Sequence, residues 1–243
     1  MRRRNLMING FLIVGMMLLS LFLRDILRLR VNRAFFKQFT ALEGFRVENG
    51  CIDGYASFTK YLTVYMILFL AFLHYYTRQE DYLIIRMKKR KEIAKKRINV
   101  LIKVILIIFI PHFMVTYLYN IIYYPLSLLL QTHYFIAETV YGLLIMMFFF
   151  TIGTLYMMLY DVLQRAIITG MMIGLSFLFF LVNRFYFQNQ LAIFFLYRDV
   201  ILNGQGSVLE ITLWLMSFIC LSAFLIMTMI HKVERMDILC QKF

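Results

Sequence analysis

Hydrophobic and polar positions segregate along this chain into long apolar runs divided by short polar segments. A run of about 20 apolar residues crosses the roughly 30 Å hydrocarbon core of a bilayer. Six runs approach that length, over residues 6–23, 61–76, 100–119, 135–159, 167–182 and 208–230. The pattern predicts an all-α, polytopic membrane protein with six transmembrane helices, in which residues 1–243 form a single transmembrane domain. The second and fifth runs are short, and their ends are the least defined.

One segment interrupts this pattern. TRQEDYLIIRMKKRKEIAKKRIN, residues 77–99, carries nine Lys and Arg residues between two strongly apolar runs. A single Lys or Arg at the bilayer centre costs about 2.5–3.5 kcal/mol, so nine must lie in water. The block also carries helix signals. Thr77 and Glu80 have capping-box spacing, with Thr77 at the N-cap. Glu80 and Asp81 then fall in the first turn, where the helix dipole favours anions. Arg86 and further bases follow, and Leu83, Met87, Ala94 and Ile98 form a broken apolar stripe. The expectation is a separate cytosolic helix over about 77–99, starting where the second span ends. Its candidate uses are a dock for a cytosolic partner, an anchor on anionic lipid and, last, a nucleic-acid contact.

Basic residues also set orientation. With the N-terminus in the cytoplasm, Arg2–Arg4, the 77–99 block, Arg165 and the tail bases lie inside, with an even number of spans placing both termini there. Arg24, Arg28, Arg30, Arg33 and Lys37 break the rule, because they follow the first span on the outer side. The outer loops are then 24–60, 124–134 and 184–207. Within the first, ILRLRVNRAFFKQFTAL has the mixture of apolar and basic residues of a surface helix, serving as an anchor or as a lid. LEGFRVENGCIDGYASF reads as turn-rich, punctuated by Gly44, Gly50 and Gly54. The opening MRRRN and its apolar run fit a signal peptide, but LFLRDILRLR offers no small-residue cleavage site, so an uncleaved first span is expected.

Composition agrees. Hydrophobic residues make up 62% of the chain, against about half in a soluble domain. No separate catalytic module remains once the apolar runs are removed. The net charge of +13 flanks the spans as topology signals do, without the stacked aromatics of a nucleic-acid groove. Cys51, Cys220 and Cys240 lie far apart and form neither a disulfide framework nor a metal motif. No nucleophile–base set, zinc motif or paired carboxylate points to catalysis.

Polar and small residues inside or beside the spans supply the remaining candidates. Pro111 removes a backbone donor and predicts a kink, and His112 beside it is expected to pack and hydrogen-bond inside the bundle or to take part in proton coupling. Gly170 and Gly174 form a G-x-x-x-G that lets another helix approach, within the subunit or across a seam between subunits. Glu138 and Glu210 share an outer layer with Arg184 and Arg198, where ion pairs would hold an outer gate and solvated ends are the plain alternative. Met- and Phe-rich stretches such as LLIMMFFF suit varied apolar cargo and equally suit ordinary packing against lipid.

Six spans, both termini inside, and a charged helix between spans two and three resemble the membrane subunits of ABC-2 type exporters. The outer segment NRFYFQNQLAIFFLYRDVILNGQGS is similar in kind to the family's re-entrant stretch before its last span. The chain departs from that layout in its short segment before the first run and its basic 24–60 loop. The resemblance implies that Thr77, Glu80, Asp81, Leu83, Arg86 and Met87 belong to a helix that contacts a separate ABC ATPase subunit. No G-x-x-x-x-G-K-[ST] occurs, so ATP and Mg would reside in that partner, and this chain would be a transport subunit and not an enzyme. It also implies a second permease copy, identical or related, and multi-pass residence in a cell membrane of the bacterial plasma-membrane kind. By analogy the cargo is an amphipathic peptide or another hydrophobic compound. The competing expectation is a non-transporting membrane protein, such as an immunity or sensor subunit, that needs no ATPase.

Overall fold

The computed structural model describes residues 9–24, 41–49, 60–84, 90–160, 168, 170–174, 177–178, 181, 201 and 208–235. Among these the regular structure is helical throughout, with no strand. Helix α1 is Asn9–Arg24 and α2 is Ala41–Asn49. A π-helical turn, Tyr61–Tyr65, leads directly into α3, Met66–Ile84. Then come α4, Arg90–Tyr123, the short α5, Leu126–Gln131, α6, Tyr134–Tyr160, and α7, Val208–Arg235. Residues 168, 170–174, 177–178 and 181 are also helical and belong to the expected fifth span.

Three stretches are long and apolar enough to cross a membrane: Glu92–Tyr123, Tyr134–Tyr160 and Thr212–His231. They coincide with the expected third, fourth and sixth spans. The first run forms α1, and the second is shared between the π-turn and α3. Helix α4 exceeds its expected length at both ends, because the bases before Val100 and the aromatics after Tyr119 continue the same 34-residue helix. It runs through Pro111, whose missing N–H falls at a buried position among apolar neighbours.

The core lies where α3, α4 and α6 meet. Tyr65 at the end of the π-turn and Met66, Phe69, Leu70 and Leu73 on α3 recur at helical spacing and bury completely. Leu101, Val104, Ile108 and Phe109 of α4 and Phe149, Tyr156 and Met157 of α6 complete the cluster. Phe109 and Phe149 sit 4.7 Å apart between ring centroids, and Phe149 meets Phe69 edge-on at 5.1 Å. The opposite face of α4 exposes Ile102, Leu106, Ile110, Met114 and Leu118, one residue per turn, as lipid requires of a spanning helix. Helix α7 packs on α6 and α4 from the outside, with only 11% of its apolar stretch buried, against 61% in α4. A hydrogen bond of 2.9 Å between Thr151 and Ser222 joins α6 to α7.

Two local expectations are corrected. Thr77 is not an N-cap. Helix α3 runs unbroken through it to Ile84, and its hydroxyl donates back to the Leu73 carbonyl at 2.7 Å. That back-bond needs no free helix end, so the apolar helix carries straight on into the polar block. The 77–99 block is therefore divided between the end of α3 and the start of α4, with residues 85–89, including Arg86 and Met87, outside the described residues. The first half of the stretch expected to be turn-rich is also different, and its remainder, residues 50–58 with Gly50 and Gly54, lies outside the described residues. ALEGFRVEN forms α2, with Gly44 inside the helix, because Phe45 anchors it in a fully buried aromatic site. The expected surface helix before it lies almost wholly outside the described residues.

Among the described glycines the closest approach of a neighbouring helix is at Gly153 of α6. A Cβ added there would lie 2.2 Å from Leu101 Cδ1 and 2.9 Å from Phe69 Cζ, both on fully packed side chains. At Gly170 and Gly174 an added Cβ meets nothing within 4 Å among the described residues, and both positions are exposed. Gly153→Ala is therefore expected to cost about 1–3 kcal/mol through overpacking. Gly170→Ala is expected to leave stability unchanged. Thermal unfolding of the two variants in the same detergent checks both, and equal midpoints would contradict this packing.

Candidate functional site

Polar side chains collect in one buried layer at the bundle end opposite the basic block. Local spacing puts them there. Ser20 and Arg24 are one helical turn apart on α1, as are Tyr61 and Tyr65 in the π-turn before α3. On α4, His112, Thr116 and Asn120 recur every fourth residue along an otherwise apolar helix. Tyr134 opens α6, just after the turn in which His133 adopts φ 50°. Helix α2 closes the layer by presenting Asn49 at its last residue.

His112 is fully buried and met from two helices. The Tyr65 hydroxyl lies 2.8 Å from its Nδ1 and the Ser20 hydroxyl 3.1 Å from the same atom. The Tyr61 hydroxyl lies 2.8 Å from Nε2. Ser20 and Tyr65 also bond each other at 3.1 Å. A neutral imidazole has one donor and one acceptor nitrogen, and hydroxyls can serve either, so the set is satisfied in both tautomers. The π-turn carries both tyrosines to one ring, and such turns are rare insertions frequent at functional sites. Lys60 is nearly buried and places its ammonium 4.7 Å over the Tyr61 ring. With Ser20 and His112 at zero exposure, their contact joins helices and does not face a substrate.

One turn away lies Arg24, also with no exposed surface. Its Nη2 donates to Asn120 Oδ1 at 2.6 Å and to Asn49 Oδ1 at 3.0 Å. Its guanidinium stacks 4.0 Å above the Tyr119 ring. Asn120 Nδ2 donates to the Tyr134 hydroxyl at 2.7 Å and to Asn49 Oδ1 at 3.1 Å. Asn49 in turn donates to the Phe45 carbonyl, and Tyr134 to the Thr116 carbonyl. Both Arg24 bonds leave one nitrogen, Nη2, and the flat face of the guanidinium is covered by Tyr119, a stacking contact suited to a planar cation. Phe45 packs edge-on against Tyr124 and Tyr134, so α2 is held by aromatic contact as well.

The expected site residues distribute as follows. Glu80, Asp81 and Leu83 lie on the last turns of α3, and Thr77 is buried a turn earlier. Glu138 is on α6 one turn past Tyr134 and is 2% exposed, so the plain reading of a solvated helix end does not hold for it. It lines a cavity of about 320 Å³ between α4 and α6 with Phe113, Tyr117, Thr139 and Gly142. Glu210 opens α7. Arg184 and Arg198, its proposed gate partners, lie outside the described residues. His112 takes the packed, hydrogen-bonded position expected of it. Ser20, Arg24, Asn49, Thr116, Asn120 and Tyr134 were not singled out in that role from sequence, although the fourfold spacing of His112, Thr116 and Asn120 is visible there.

Among the described residues no three His, Cys, Asp or Glu side chains come together as a metal site. Comparison of the chain with protein-family models, curated proteins and solved structures finds no match. The layer makes its own prediction. Asn120→Leu removes acceptor and donor together, and is expected to destabilise by about 1–3 kcal/mol through the buried groups it leaves behind. Asn49→Ala and Asn120→Ala share one guanidinium, so their effects are expected to be non-additive. A double-mutant cycle from thermal or denaturant unfolding in detergent measures this, and strict additivity would mean that the two amides do not act through Arg24.

Proposed function

We propose that this chain is the membrane-spanning permease subunit of an ATP-driven exporter of the ABC-2 kind, with six spans and both termini in the cytoplasm. The observation that carries the reading is α4. It is one uninterrupted helix of 34 residues, about 50 Å long, with five bases in its first eight residues and His112 and Asn120 of the buried layer near its far end. Helix α3 likewise extends past the apolar region to Ile84 while its start holds the tyrosines on His112. Two such rods, packed on each other, carry a displacement applied at the basic end to the layer at the other. A separate ABC ATPase, with its ATP and Mg, supplies that displacement at residues 77–99. A second permease copy completes the path, and an amphipathic peptide or hydrophobic compound is the cargo. The exposed Met and Phe positions on α1, α4 and α7 suit such cargo as they suit lipid.

Two results test the reading. Mild-detergent purification is expected to bring down an ATP-binding polypeptide with this chain. Combined replacement of Glu80, Asp81 and Arg86 by Ala is expected to abolish export while membrane insertion and α-helical content stay normal. Export at the unaltered rate by that variant, or purification without any ATPase, would favour the non-transporting alternative. Cysteine labelling of residues 85–89 from outside intact cells would reverse the orientation.

A further inference from the structure

A second cavity, of about 310 Å³, opens at the basic end of the bundle between α4 and α7. Its wall is Ala94, Ile98 and Ile230, and its rim is Lys95 and Asn99. Ala94 is buried, Ile98 and Ile230 are half-buried, and Lys95 and Asn99 are exposed. Its depth along α4 is fixed by sequence. Five of the residues from Arg90 to Arg97 are bases, with Glu92 the one acid, and from Val100 onward the helix is almost wholly apolar. The cavity therefore straddles the level where water gives way to hydrocarbon. Helix α7 brings His231, Lys232 and Arg235 to the same end, with Glu234 among them.

The neighbouring bases differ in availability. Arg97 is buried, and Lys103, two turns deeper, lies 4.2 Å over the Tyr76 ring. Lys95 is exposed and, among the described residues, has no ion pair or hydrogen bond. It is the base free to meet something in the cavity.

From this geometry we infer that the cavity binds one phospholipid with an anionic headgroup, the phosphate on Lys95 and Asn99 and the first acyl carbons on Ala94, Ile98 and Ile230. The occupant must be polar at the rim and apolar at the wall, and must reach membrane level. A bilayer phospholipid meets all three conditions and is present at saturating local concentration. Lys95, the base at the rim, selects an anionic headgroup over a zwitterionic one, at about 1 kcal/mol for a base near the surface. The volume equals that of roughly ten waters, enough for a headgroup and glycerol but not for two full acyl chains, which would run down the outside of α4. The inference does not depend on the exporter reading and holds for a non-transporting protein equally.

The test uses the full chain purified in mild detergent, titrated with phosphatidylglycerol or phosphatidylcholine of identical chains and followed by native mass spectrometry. Wild type is expected to retain one phosphatidylglycerol per chain, with at least about a fivefold preference over phosphatidylcholine, the factor one base supplies. Lys95→Gln, at an exposed position that leaves the fold intact, is expected to erase the preference. Ile230→Trp, which fills the wall, is expected to lose the lipid itself. Arg78→Gln, an exposed base at the same bundle end but outside the cavity, is expected to behave as wild type. Undiminished preference in Lys95→Gln overturns the inference, as does equal retention of the two lipids by wild type. So does an Ile230→Trp protein that keeps its phosphatidylglycerol but loses a copurifying protein, since the cavity would then be a protein dock.

Discussion

A buried arginine needs an answer from every helix around it. Arg24 has no exposed surface, and its guanidinium is met by amide oxygens from α2 and α4 and by the face of Tyr119. In a low-dielectric interior such a group is costly unless its hydrogen bonds are made, and truncating any partner leaves the charge behind. The same requirement reaches outward from it. Asn120 must be held by Tyr134, Tyr134 must sit at the start of α6, and Asn49 must be delivered by a helix in the long first loop. One side chain thus ties the ends of α1 and α4, the start of α6 and the body of α2 into a single arrangement. Apolar packing alone specifies helix positions weakly in lipid, where leaving the bundle exposes nothing to water. The polar layer is what makes this end of the bundle unique.

That layer and the basic block occupy opposite ends of α3 and α4. The core between them is dense, with Phe149 against both Phe69 and Phe109 and Leu101 pressed into the space above Gly153. A tightly filled contact of this kind transmits a shift of either helix and does not absorb it. The π-turn at Tyr61–Tyr65 is an irregularity at the head of these rods, and it is clamped to His112 by both of its tyrosines. A bulged helix can pass to a regular one by a local change of register, so the clamp sits where a change of state is mechanically cheapest.

The helical class was legible because runs of Leu, Ile, Phe and Met longer than 15 residues leave few alternatives. The runs that became α4, α6 and α7 were placed to within a few residues at their apolar ends. What failed was local chemistry read without its surroundings. Thr77 and Glu80 have the spacing of a cap, but a cap forms only where a helix begins, and the preceding apolar helix had no reason to stop. Gly44 looks like punctuation, yet Phe45 beside it has a buried aromatic slot that outweighs the modest cost of a helical glycine. Among the described residues Gly170 and Gly174 meet no other helix, as a seam between subunits would also require, while Gly153, unremarkable in sequence, makes the closest approach of the described glycines. A glycine motif says that an approach is sterically allowed. Which approach occurs depends on the shapes opposite, here Leu101 and Phe69.

Arg24 also bears on orientation. Five bases after the first run oppose the positive-inside pattern when counted alike. They are not alike. A base that is buried and hydrogen-bonded in the folded bundle acts through its partners there, whereas the rule concerns bases that remain in flanking loops during insertion. Removing Arg24 from that count weakens the opposing signal without touching the nine bases of the 77–99 block. The exception nearest the membrane is thus a residue with a structural reason to be an arginine. The same distinction separates Lys95 from Lys103 at the other end. Equal charges eight residues apart on one helix act differently, because one faces the boundary with water and the other has been taken up by an aromatic ring.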